Sequence, residues 1–121
     1  MGTEEFERKW KAKFTRAAED DLKSILKETK KQFGPEQGKR LLGEFEQIRK
    51  SLEAMPFRCD PPEELKKLNV FLYREIHLRP FRILSEPDNA AGIVHIHVIL
   101  HSRRNIPDIL NERLFLDGAD D

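Results

Sequence analysis

All four histidines, His77, His95, His97 and His101, lie between Tyr73 and Arg104, together with Arg74, Arg79, Arg82, Arg103 and Arg104, and no lysine follows Lys67. These are the side chains with chemistry to offer. An imidazole gives or takes a proton near neutral pH, while a guanidinium stays charged and can bond two oxygens of one phosphate or carboxylate. On a strand the pair His95-x-His97 sends both rings to one side, roughly 7 Å apart, a spacing that holds zinc once a third ligand such as His101 or Glu75 joins. No cysteine or further carboxylate accompanies the pair at a telling spacing, and an exposed sheet face tolerates histidine without any function. The expectation is therefore no metal and no cofactor.

Strands are needed to position these residues. In the run Ile93 to His101, Val94, Ile96, Val98 and Leu100 fall on one face and His95, His97, Ile99 and His101 on the other, because side chains alternate along a strand. One face is expected to cover a core and the polar face to meet a partner. Two further strands are read around Val70 to Leu78 and Phe81 to Glu86, with turns at Arg79-Pro80 and Pro87 to Gly92. Near the start, Trp10 to Thr15 alternates like a half-buried edge strand, although Phe6, Trp10 and Phe14 also recur every four residues as on a helix.

Between these strands the period changes to that of helices. Thr15 can cap a helix whose first turn gathers Glu19, Asp20 and Asp21. Gly34-Pro35 ends that helix and starts a second, giving a tight hairpin. Leu22, Ile25 and Leu26 of the first and Leu41, Phe45 and Ile48 of the second are the stripes expected to pack on Val94, Ile96 and Val98. The lysines of the hairpin, interleaved with Glu28, Glu44, Glu46 and Glu53, read as a solvated surface. The proline-rich connector from Pro56 to Leu68 has room for one helical turn at Pro62 to Lys67, and Asn105 can cap a short amphipathic helix carrying Ile106, Ile109, Leu110 and Leu114.

Length and charge bound the rest. A chain of 121 residues buries one core, and 22 cationic side chains against 22 anionic ones argue against holding nucleic acid by bulk charge. The single cysteine, Cys59, has nothing to pair with, which suits a reducing cytoplasm. No apolar run approaches the roughly 20 residues of a membrane span. The division expected is a charged leader at 1–9, one domain at 10–115 and an acidic, unstructured tail at 116–121.

The order strand, helical hairpin, three-stranded meander, with the strings FTRAAEDDL, YREIHLRPFRIL and VHIHVILHSRRNIPDIL, resembles the RelE/ParE superfamily of bacterial type II toxins over about Lys11 to Leu114. The resemblance implies an α+β domain, with the hairpin packed on one face of a small, mainly antiparallel sheet and a short C-terminal helix. It also implies a dedicated antitoxin, and as target either DNA gyrase or messenger RNA within the ribosome. A homodimer and a toxin–antitoxin hetero-oligomer stay open. By similarity to the ribonuclease branch, Arg82 and either Arg103 or Arg104 would meet phosphate, with His95, His97 and His101 as acid and base. That branch often carries a tyrosine in its C-terminal segment, whereas the one tyrosine here is Tyr73. The reading therefore leans away from an enzyme and toward a ParE-like gyrase inhibitor, in which Arg74, Arg79, Arg82, Arg103 and Arg104 are target contacts. A ribosome-dependent endoribonuclease, and a non-toxic scaffold or metal protein on a similar fold, are the alternatives.

Overall fold

The computed structural model describes residues 9–102 and 105–113 in full, and the backbone of 114–120. Its elements in chain order are β1 (Lys11–Phe14), α1 (Arg16–Phe33), α2 (Pro35–Ala54), α3 (Glu63–Lys66), β2 (Arg74–Leu78), β3 (Phe81–Asp88), β4 (Ile93–His101) and α4 (Ile106–Asp120). The four strands form one sheet in the order β1-β4-β3-β2, with β1 parallel to β4 and the other neighbours antiparallel. The helix boundaries follow from local chemistry. Thr15 is extended and its hydroxyl accepts from the Ala18 N–H at 3.2 Å, which starts α1. Gly34, at φ +96°, ends α1 in a conformation open to glycine, and Pro35 opens α2. At the far end, the Asn105 side chain accepts from the Asp108 N–H at 3.2 Å and caps α4.

The hairpin α1–α2 covers one face of the sheet. Phe45 and Leu52 are fully buried there against Ala12, Ile76, Ile83, Val94, Ile96 and Ile99, and Leu22, Ile25, Leu41 and Ile48 pack around them. Leu26 is half-buried but lies outside this cluster. A second core lies on the opposite face, where α3 and α4 bring Leu65, Ile106 and Ile109 onto Leu84, Val98 and Leu100. Both sheet faces are thus covered, instead of one being left for a partner.

That second core corrects the alternation read from the sequence. Leu84 pairs with Val98, yet Ser85 pairs with Ile96, so His97 is an extra residue in β4, a β-bulge. Beyond it the faces are exchanged. Ile99 joins Val94 and Ile96 under the hairpin, while Val98, expected there, turns to the other core together with Leu100. A strict period of two has no means of registering one inserted residue. The C-terminal helix also runs on to Asp120, where the sequence suggested an unstructured tail from 116.

Candidate functional site

The bulge and the registers scatter the predicted polar face into separate places. Arg82 points away from the hairpin. Its two terminal nitrogens donate to the two oxygens of Glu64, each at 2.8 Å, and its Nε donates to Glu75. The Arg82 side chain is 12% exposed. These bonds, those from Glu64 first, push the Arg82 pKa further up, and the same bond holds the Glu64 carboxyl below its ordinary value. Glu64 belongs to α3, so the pair fastens that turn to the sheet.

His95 and His97 do share a side, as expected. His97 Nε2 lies 2.7 Å from Glu86, His95 Nε2 lies 3.6 Å from Asp88, and the two ring centroids are 5.9 Å apart. Tyr73 stands edge-on to His97 at 5.6 Å. His101 is not with them. It lies on the hairpin side, edge-on to Phe81, because the bulge has exchanged the faces. The expected grouping of His95, His97 and His101 is therefore broken, and among the described residues no three potential ligands converge on a metal position.

Arg74 is tied to the connector, donating to the carbonyls of Phe57 and Cys59 at 2.7 and 2.8 Å. Arg79 is exposed in the β2–β3 turn. Arg103 and Arg104 lie outside the described residues.

A concavity lies between the distal half of the hairpin and the ends of β3 and β4, with a volume of about 980 Å³. Ile25, Phe33 and Leu41 line it from the hairpin, Phe81 and Ile99 from the sheet and Ile109 from α4, with Arg40, Arg79, Glu44 and Glu112 around them. Phe33 is 69% exposed, an aromatic side chain left largely uncovered among the described residues. One wall is built by Asp21. Its carboxylate accepts the Ile99 N–H at 3.0 Å and the Arg113 guanidinium at 2.6 and 2.5 Å, while Arg113 also donates to the His97 carbonyl at 3.4 Å. Side chains thereby satisfy the main chain of β4 where β1 no longer accompanies it.

Asp21, Arg113, Glu86 and Asp88 were missed in the sequence. Asp21 stands in a run of three acids that reads as helix-dipole complement, and nothing local distinguishes it from its neighbours. Glu86 and Asp88 become partners of histidine only once the register of β3 on β4 is known.

The family model for the ParE toxin of the type II toxin-antitoxin system parDE matches residues 12–106. The chain belongs to the ParE toxin family. Among curated protein sequences none matches it. Its fold is similar to a chain in the chromosomal ParDE toxin-antitoxin system of P. aeruginosa, with a TM-score of 0.63 and 22% identity over 76% of this chain and 95% of that one. It is also similar to one in the RelBE2 toxin-antitoxin complex of Mycobacterium tuberculosis, with a TM-score of 0.55 and 21% identity over 78% and 99%. The sheet and the hairpin thus form the α+β fold of these toxin structures.

Proposed function

We propose that this toxin arrests growth by binding DNA gyrase, and that a cognate antitoxin silences it by seating an apolar segment in the groove between hairpin and sheet. The observation that carries the choice of target is the state of Arg82. A phosphate in flight between two oxygens needs a cation free to meet it, and this guanidinium is already bonded to Glu64 and Glu75. The neighbouring histidines face Glu86 and Asp88, so the strip around them is rich in carboxylates and would repel an RNA backbone. Binding needs no such constellation.

The antitoxin reading rests on the groove. At about 980 Å³ it stands at the upper end of small-molecule pockets, its apolar floor and mixed-charge rim suit an amphipathic peptide, and Phe33 offers an anchor. Two solved structures of similar fold come from toxin–antitoxin systems.

One feature favours the nuclease reading: His97, held by Glu86 at 2.7 Å beside Tyr73, resembles an oriented acid–base group. The two readings separate in one experiment, in which gyrase supercoiling and cleavage of ribosome-bound message are assayed side by side with the purified chain. Loss of supercoiling with intact message is expected. Codon-dependent breaks in the message with normal supercoiling would overturn the proposal and direct attention to His97.

A further inference from the structure

We infer that a second docking surface, at the opposite end of β2 from the groove, takes an acidic protein surface that also presents apolar side chains. It comprises Met55, Phe57, Leu68, Phe71 and Leu72, each between 48% and 63% exposed. The inference rests on the reading that this toxin acts by binding a protein target, and it names the face that makes the contact.

The exposure is built rather than frayed. Phe57 is held from two sides, edge-on against Trp10 with ring centroids 5.5 Å apart and beneath the Arg74 guanidinium at 5.8 Å. The Phe57 and Cys59 carbonyls are bonded by Arg74, Asp60 accepts the Glu75 N–H at 3.0 Å, and Arg58 donates to Ser51 at 2.7 Å. On the other side of the patch, the N–H groups of Leu68 and Val70 both return to the Leu65 carbonyl. Leu65, Val70 and Tyr73 turn inward to the second core, so that Leu68, Phe71 and Leu72 are the residues left facing solvent. A fixed apolar surface loses little conformational entropy when it is covered.

Charge selects the occupant. Arg58 and Arg74 are bonded to a hydroxyl and to carbonyls, Lys67 is exposed, and among the described residues none of the three forms a salt bridge. The acids nearby are largely engaged, Glu63 with Lys66 and Glu64 with Arg82, leaving Asp60. An aromatic side chain under the Arg74 guanidinium, with the Arg58 and Lys67 cations close by in the chain and outside any salt bridge among the described residues, suits a surface of carboxylates around apolar side chains. The groove opens at the Arg79-Pro80 end of β2 and the patch lies at its Arg74 end, so an occupant of one leaves the other accessible.

The test uses the full chain and purified gyrase holoenzyme as probe. Phe71→Asp with Leu72→Asp should weaken gyrase binding and inhibition about tenfold or more, and Lys67→Glu should weaken both severalfold, while Lys23→Glu on the solvated hairpin should leave both unchanged. Leu68→Asp alone serves if the double variant does not melt cooperatively. A folded double variant that inhibits like the parent overturns the inference and leaves the gyrase reading standing. If the parent arrests growth without touching gyrase, the gyrase reading falls. The patch is then judged on arrest, with loss in the double variant supporting it and persistence overturning it. Retention on anionic phospholipid vesicles instead of protein, or a parent that arrests nothing, also overturns it.

Discussion

Ser85 is fully buried beside the bulge, and among the described residues its hydroxyl has no hydrogen-bond partner. Burying such a group unbonded costs about 1–3 kcal/mol, whereas a methyl group in its place costs nothing of the kind. Ser85→Ala should therefore stabilise the fold by roughly 1 kcal/mol, seen as a higher midpoint in urea with an unchanged slope. An unchanged or lower midpoint would mean that the hydroxyl is satisfied in solution. Glu64 carries the opposite lesson. Its native pKa lies below the ordinary 4.5 because of the Arg82 bond, so the unfolded chain takes up the proton first. The pair stabilises above about pH 4.5, and that share is lost as pH falls through the native value. Glu64→Gln should lower the melting temperature at pH 7 and give a shallower decline below pH 4.5 than the parent, measured by thermal melts across pH 3 to 7.

Elements were legible wherever a local rule governed them. Thr15, Gly34-Pro35 and Asn105 fix helix ends through their own main chain, and the β-branched run from Ile93 to His101 is a strand with those bounds. What could not be read was tertiary. The bulge at His97 exists because β3 offers one residue fewer over that span, and the carboxylates around Arg82 and His97 arrive from other elements. Deletion of His97 tests the bulge directly. With the extra residue gone, Ile96 and Val98 become neighbours opposite Ser85 and Leu84, the alternation turns regular and each side chain keeps its own core. Cooperative melting by circular dichroism should therefore persist, whereas its loss would show that His97 is more than an inserted residue. Phe45, 1% exposed and packed on Phe81 with centroids 5.9 Å apart, is the hairpin's main anchor. Phe45→Ala should cost about 3–5 kcal/mol in chemical unfolding.

Across the described residues, the sheet's edges are closed mainly by side chains. Glu53 and Arg49 reach the Ala12 N–H and carbonyl at 3.0 and 3.4 Å on the outer side of β1, and Asp21 with Arg113 covers the length of β4 beyond β1, while on β2 the Glu75 N–H is taken by the main-chain carbonyl of Asp60. Such blocking keeps an edge from pairing with another chain. Arg113→Ala should destabilise by about 1–3 kcal/mol, by removing a charged bond to a half-buried carboxylate. Hydrogen exchange should quicken in α4 and stay slow in β3. Equal protection in α4 would show that Ile106 and Ile109 hold the helix without the clamp.

The parallel pairing of β1 with β4 has a consequence for synthesis. The first strand to leave the ribosome finds its neighbour among the last, as with Thr15 and His97, which lie 82 residues apart. At about 5–20 residues per second, roughly 4–16 s separate the emergence of the two. The helical hairpin can form meanwhile from local contacts, but the floor of the groove and the wall made by Ile99 and Arg113 do not yet exist. During that interval the nascent chain is a pair of helices with no sheet to lie on, and the groove proposed for the antitoxin is not yet formed. The same late strand therefore completes both the fold and that groove.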